Sequence, residues 1–321
     1  MNSDNRPTNK PVFSVITPVF NGEKYIQETI NSVLNAARGF SVEYLVVDDG
    51  STDTTYQFLV EFSDSIKIIR KQNGGEPSAV NRGLEESSGE LILILSADDP
   101  LFTSEIFNGV EEYFNQNQNT VAWYPNWRKI DEKGTLIEEV VPLEFTLERV
   151  LGLGMCLPGP GTIFRANAAK KIHGRSTKIR FASDFEFWLR LSQVGEIVHR
   201  DQLVAQWRQH DASTSIASRG KAMGEERILL IDSFIEKYSV DDELARSAKA
   251  SSRYFAAALG VFDKHVKSRK LIIEAMLISR GLPEVAKIRV VIFALLHPAS
   301  FYTARLIAKL SRRFYNKINS I

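Results

Sequence analysis

Apolar residues come in short runs over the first hundred positions and in helical stripes towards the end of the chain. Val12 to Thr17 (VFSVIT), Val42 to Val47 (VEYLVV), Ile66 to Ile69 and Leu91 to Leu95 (LILIL) have the near-continuous apolar character of strands buried on both faces. Between them, Asn21-Gly22 and Gln72-Asn73-Gly74-Gly75 read as turns. Helical spacing follows from Glu23 through Tyr25, Ile26, Ile30, Val33 and Leu34, then over Tyr56 to Phe62, then over Ala79 to Glu86. This β-α-β-α-β-α-β order with short connections predicts an α/β, doubly wound, mainly parallel sheet.

Beyond Pro100 the pattern changes. Val121 to Asn126 predicts a strand, Arg128 to Ile137 a hairpin turning at Glu132-Lys133-Gly134, and Pro158 to Thr162 a tight loop before a strand at Ile163 to Arg165. Phe185, Trp188 and Leu189 share one face of a helix that Ser183 or Asp184 could cap. After about Gly220 the periodicity is helical, over Arg227 to Tyr238, Glu243 to Lys264 and Lys267 to Arg280. We expect a sheet domain over residues 12–215 and a helical extension over 216–321.

Composition narrows the class. The chain has 321 residues, 44% hydrophobic and 25% charged, as in ordinary globular proteins, and its net charge of +1 argues against nucleic acid as the partner of the whole chain. The single cysteine, Cys156, excludes an intrachain disulfide framework and a cysteine-built zinc site. The polar start, MNSDNRPTNKP, has no apolar core of a secretory signal, so a cytoplasmic location is expected. Val290 to Ala304 is apolar but interrupted by His297-Pro298 and too short to span a bilayer. Arg305, Lys309, Arg312, Arg313 and Lys317 follow without an acid among them, which suits either a helix lying on an anionic membrane surface or a solvated basic face.

The candidate chemistry is acidic. Two predicted strands end in paired carboxylates, Asp48-Asp49 and Asp98-Asp99. Either pair alone could be a capped, solvated turn. In an open parallel sheet, however, strand exits share one edge, where ligands bind. Two acid pairs on that edge point to a nucleotide held together with a divalent cation. No G-x-G-x-x-G or Walker pattern opens a helix, so a dinucleotide or ATPase reading has little support.

VFSVITPVFNGEKYIQETINSVL, then VVDDGSTD, then LILILSADD, in this order and spacing, resembles the family 2 glycosyltransferases, whose nucleotide-sugar-binding fold is called GT-A; the resemblance runs over about Val12 to Ser215. It implies that Thr17, Pro18 and Glu23 border the nucleotide and that Asp49 bonds the base, usually uracil. It implies that Asp98 and Asp99 bind ribose and an Mn2+ or Mg2+ ion bridging the diphosphate. Asp48 is expected to face inward or fix its turn. Two positions depart from the family pattern: Ser96 where many relatives have Asp, and Val80 where they often have Arg or Lys, with Arg82 close by.

The same resemblance makes Asp184 the base that deprotonates the acceptor, with Glu186 the alternative. It puts Arg208, His210 and Ser213 in an element folding over diphosphate and metal, His210 as a metal or phosphate ligand and Arg208 against the leaving-group charge. Gly161, in the loop before the strand that floors the acceptor site, either lets a sugar approach or only serves the turn. The implied activity is an inverting, metal-dependent transfer of one sugar from a nucleoside diphosphate sugar to a glycan or lipid-linked acceptor, in cell-surface polysaccharide or lipopolysaccharide synthesis. An acceptor on lipid would make attachment to the inner membrane face useful. Two rivals are a sugar nucleotidyltransferase, for which Thr17 to Gly22 lacks a basic glycine-rich loop, and a non-catalytic nucleotide-sugar-binding protein, which the changes at Ser96 and Val80 keep open.

Overall fold

The computed structural model describes residues 10–152, 154, 157–210, 221–262 and 268–278. These form two compact units. The first comprises Met1–Thr146 and Cys156–Ile216, the second Leu147–Met155 and Ala217–Ile321.

The first unit is built on an eight-stranded sheet. Its strands are β1 (Phe13–Val19), β2 (Val42–Asp48), β3 (Lys67–Arg70), β4 (Leu91–Ile94), β5 (Thr120–Ile130), β6 (Leu136–Val140), β7 (Ile163–Arg165) and β8 (Glu196–Arg208). Strands β3, β2, β1 and β4 run parallel in that order. β7 is antiparallel to both β4 and β5, and β8 runs parallel to β5. β8 therefore points the same way as β4, and its carboxyl end reaches the same sheet edge.

The helices are α1 (Ile26–Ala36), α2 (Thr55–Glu61), α3 (Glu76–Glu86), α4 (Val110–Gln116), α5 (Ala166–Lys171) and α6 (Ser183–Leu191). Ile26, Ile30 and Val33 on α1 are fully buried against one face of the sheet, with Val15, Val46 and Leu93. Ala79 on α3, with Phe187 and Trp188 on α6, packs on the other face against Ile16, Leu45 and Ile92. Burial of each large aliphatic side chain contributes about 1.5–3 kcal/mol. Covering both faces is what the continuous apolar runs required.

Pro18 does not stop the first strand, as its lack of an N–H would suggest; β1 continues to Val19. The carbonyl of Ile16 faces β4, so the N–H that proline lacks faces β4 too, and pairing with β4 has already ended at Ile16. The predicted strand at Val121 and the first arm of the hairpin are one strand, β5. Pro125 sits where the register with β8 shifts, between Tyr124 and Asn126. Helix α3 begins at Glu76 rather than Ala79, with Pro77 in its first turn.

The second unit contains α7 (Lys221–Lys237), α8 (Asp242–Phe262), α9 (Ser268–Ile278) and a π-helical turn at Glu148–Gly152. Arg253 on α8 makes a two-pronged ion pair with Asp232 on α7, at 2.6 and 2.8 Å. No helix among the described residues is long and apolar enough to cross a membrane. The basic stretch from Arg305 to Lys317, and Ser213, lie outside the described residues.

Candidate functional site

The exits of β1, β2, β4 and β8 share the carboxyl edge of the sheet. The loops after β1 and β2 are stitched together there. Asn21 Oδ1 accepts from Thr52 N at 2.8 Å, and Gly22 N donates to Thr55 Oγ1 at 2.8 Å. Glu23 joins this seam, its Oε2 accepting from Thr54 N at 3.0 Å and Thr54 Oγ1 at 2.6 Å. Its carboxylate thus ties two loops while staying at the surface. Pro18 is half-buried at the end of β1, but Thr17 is fully buried, 3.0 Å from Tyr44 Oη across the sheet. That corrects the expectation for Thr17, whose side chain has no path to a ligand. Burial pushes the Tyr44 phenol far above its ordinary range, so it stays a neutral partner.

At the end of β2, Asp48 is fully buried and accepts from Ser51 N at 2.8 Å, which fixes the turn. Asp49 turns towards the β3–α3 loop. Its Oδ1 accepts from Lys71 Nζ at 2.5 Å and Gly74 N at 3.0 Å, and its Oδ2 from Gly75 N at 2.7 Å and Gly74 N at 3.1 Å. A carboxylate has about four lone-pair positions, and three donors occupy them here, Gly74 N being shared between both oxygens. A nucleobase bonding Asp49 would compete with these donors. Lys71 is the flexible one, at 21% side-chain exposure.

After β4 the two acids part ways. Asp99 is buried, its Oδ1 accepting from Arg208 N at 2.7 Å, so it fastens the end of β8 to the exit of β4. Burial, and then the charge of Asp98, push the Asp99 carboxyl well above its usual range, against hydrogen bonds from Arg208 N and the Ser96 hydroxyl. Ser96 thus serves Asp99. Asp98 is the more accessible of the two, and its Oδ2 lies 2.8 Å from His210 Nε2. The His210 ring packs against Tyr25, with centroids 5.1 Å apart. A carboxylate oxygen and an imidazole nitrogen side by side are a donor pair of the kind that would hold a divalent cation. Among the described residues no group of three or more His, Cys, Asp or Glu forms a closed metal cage.

Arg208 is not positioned to meet a leaving group. It is 1% exposed, with Nη2 donating to Glu28 Oε2 at 2.7 Å, Nε to the Asp98 carbonyl at 3.0 Å and Nη1 to the Glu132 carbonyl at 3.2 Å. Tyr25 lies 4.7 Å from its guanidinium carbon. The guanidinium joins α1, the β4 exit and the β5–β6 turn.

Gly161 is likewise packing rather than access. With φ at +77°, a Cβ there would stand 2.6 Å from Ala205 Cβ and 3.0 Å from Pro125 Cγ. Protein, not open space, fills the position. Val80 is buried in the core, and Arg82 bonds Glu86 on the solvent side of α3 at 2.6 Å.

Asp184 is the second residue of α6, half-buried, and its Oδ1 accepts from Phe185 N at 2.7 Å. Ala182 occupies the cap position, so neither Ser183 nor Asp184 caps the helix. Glu186 is committed to Arg190, at 2.5 and 2.6 Å. Next to Asp184, Ser183 Oγ donates to Glu76 Oε2 at 3.1 Å. Glu76 directly follows Gly75, which Asp49 holds, so a chain of contacts runs from Asp49 to Asp184. None of Tyr25, Glu28, Lys71 or Glu76 was placed at the site from the sequence. Tyr25 entered only through its helical spacing, and the three polar residues carry no spacing signal.

The glycosyl transferase family 2 pattern matches residues 14–172. An uncharacterized glycosyltransferase of Rickettsia typhi is 28% identical, over 82% of this chain and 84% of its own length. The hyaluronan synthase of Pasteurella multocida is 27% identical over 64% of this chain and 22% of its own. Among solved structures, TarS of S. aureus, residues 1–349, superposes with a TM-score of 0.63 at 20% identity, covering 85% of this chain and 82% of that one. The same TarS fragment has been crystallised with UDP-GlcNAc. The TarS likeness concerns the fold, which is the expected GT-A arrangement of a mostly parallel sheet between helices. By the family pattern and these relatives, residues 14–172 form a glycosyl transferase family 2 segment, and the chain is similar to named glycosyltransferases.

Proposed function

We propose that this glycosyltransferase moves a single sugar, with inversion, from a nucleoside diphosphate sugar to a hydroxyl of a glycan or lipid-linked acceptor in cell-surface polysaccharide synthesis. The observation that carries the reading is the 2.8 Å pairing of Asp98 with His210 on the sheet edge that also holds Asp49. UDP is the first donor nucleotide to test, because TarS, which shares the fold, has been crystallised with UDP-GlcNAc.

Asp98 and His210 would hold the divalent cation, and the cation when bound supplies positive charge against the diphosphate. The rest falls to the chain's own residues. The β3–α3 loop, held by Asp49, borders the nucleoside. Asp99 and Arg208 keep the β8 end, and with it His210, against the exit of β4. Asp184 takes the proton from the acceptor hydroxyl as that oxygen bonds the anomeric carbon. The bond from the anomeric carbon to the diphosphate breaks on the opposite face, and its electron pair leaves with the nucleoside diphosphate.

The test is release of nucleoside diphosphate from a panel of donor sugars, with Mn2+, with Mg2+ and with chelator, for wild type and Asp98→Asn. Metal-dependent turnover of one donor, lost in the variant, supports the proposal. Metal-dependent binding of a donor without turnover, even when acceptor glycans are supplied, would instead favour a binding protein.

A further inference from the structure

One carboxylate bridges the two halves of the site. Glu76 opens α3 immediately after the loop held by Asp49, and its side chain is still 45% exposed. Its Oε1 accepts from Arg175 Nη1, and its Oε2 accepts from Ser183 Oγ at 3.1 Å. Arg175 is 8% exposed, and among the described residues its Nε has no hydrogen-bond partner, so Glu76 supplies most of what stabilises that buried cation.

The segment carrying Arg175 is itself clamped from both sides. On the α3 side, Asn81 Oδ1 accepts from Arg175 N and Asn81 Nδ2 donates to Arg175 O, both at 2.8 Å. Gly174, at φ +65°, lets the backbone come that close, since a Cβ there would lie 2.4 Å from Asn81 Oδ1. On the α6 side, Arg190 donates to the carbonyls of Ile172 and Gly174 while paired with Glu186. α6 is therefore linked to α3 in two ways: Ser183 in its first turn bonds Glu76 directly, and Arg190 in its last turn holds the segment of Arg175, which Glu76 and Asn81 both bind. The direct link to the first turn ends on Glu76.

We infer that Glu76 is a positioning residue that fixes the start of α6, and with it Asp184, relative to the nucleotide loop. This rests on the proposed role of Asp184 as the base. It requires no contact between Glu76 and substrate. A shift of the α6 start by a fraction of a turn moves the Asp184 oxygen away from an acceptor hydroxyl while leaving the Asp49 loop intact.

The experiment compares wild type with Glu76→Ala, Glu76→Gln and Ser183→Ala. It reads hydrogen–deuterium exchange of the α6 peptide, UDP affinity with Mn2+, and donor turnover. Glu76→Gln keeps an oxygen for Ser183, and Ser183→Ala leaves no unpaired charge, so both are suited to fold where Glu76→Ala does not. Exchange at the first turn of α6 should rise about fivefold or more in Glu76→Ala, with β1 and β2 unchanged. In that variant kcat should fall roughly 10- to 100-fold at unchanged UDP affinity and unchanged donor KM. Glu76→Gln should recover much of both losses.

Unaltered exchange in α6 overturns the inference whatever the activity. A loosened α6 with wild-type kcat overturns the positioning role. Loss of kcat, KM and melting temperature together in every variant reduces Glu76 to a general stabilising residue. A wild type that neither binds UDP nor turns over any donor would sink the proposed function alone, and the exchange comparison would still decide the tether.

Discussion

Replacing Arg208 by methionine asks whether its guanidinium serves the substrate or the protein. The side chain is 1% exposed and donates to Glu28, to the Asp98 carbonyl and to the Glu132 carbonyl at 2.7, 3.0 and 3.2 Å. Methionine keeps most of the apolar stem and removes every donor. Hydrogen bonds to a charged group contribute about 1.5–3 kcal/mol each, so three would sum to about 4.5–9 kcal/mol if independent. They are not independent, and Glu28, 54% exposed, regains water when released. Removing one partner of a buried ion pair costs about 3–5 kcal/mol, and that lower range applies here. For a unit of about 200 residues each kcal/mol moves the melting point by about 2–4 °C, so Arg208→Met should melt roughly 6–20 °C below wild type. Differential scanning calorimetry checks this, and a UDP titration on the variant well below its melting point completes the test. A variant that melts with wild type yet has lost UDP affinity would refute the reasoning, because it would mean the guanidinium faces the ligand.

Asp184→Asn should lower transfer by roughly 10²–10⁴-fold with UDP affinity intact, measured by steady-state kinetics and calorimetry; an equal loss of binding would contradict the assignment. Gly161→Ala should destabilise the first unit by about 2–5 kcal/mol, combining left-handed strain of about 1–2 kcal/mol with overpacking of about 1–3 kcal/mol against Ala205; an unchanged melting curve would mean the position is open. Burial alone would raise the Glu43 carboxyl, but hydrogen bonds from Ser14, Ser88 and Gly89 hold it below its usual range. A depressed folded pKa gives stability that is present above the unfolded value, near 4.5, and lost as pH falls through the folded one. Glu43→Gln should therefore be less stable than wild type at neutral pH, with the gap narrowing below about pH 4 in urea titrations.

The first half of the sheet was legible in the sequence because strands covered on both faces leave near-continuous apolar runs, as at Leu91 to Leu95. β8 was not. Its apolar residues Ile197, Val198, Leu203 and Val204 are split by His199-Arg200-Asp201-Gln202, and the ladder shows why: Tyr124 pairs with His199 but Asn126 with Leu203, so the register shifts across Arg200 to Gln202. At the site, the acid pairs announced themselves through their place after strands. Which acid of each pair faces outward depends on partners far along the chain. Arg208 N claims Asp99 and His210 meets Asp98, and neither contact has a local signature. For the same reason Thr17 looked available although Tyr44, on the neighbouring strand, covers it. Gly161 could be read as a sugar contact only while its neighbour Ala205 on β8 was unknown.

Asp98 and His210 are proposed to join a divalent cation to a nucleoside diphosphate at this sheet edge. This is tested most directly by calorimetric titration of UDP into wild type, Asp98→Asn and His210→Ala, each with Mn2+ and with chelator. Mn2+ should tighten UDP binding to wild type, and either substitution should remove most of that gain while leaving the weaker, metal-free affinity unchanged. Binding of UDP that is equally tight with chelator, or equally sensitive to Mn2+ in all three proteins, would contradict it.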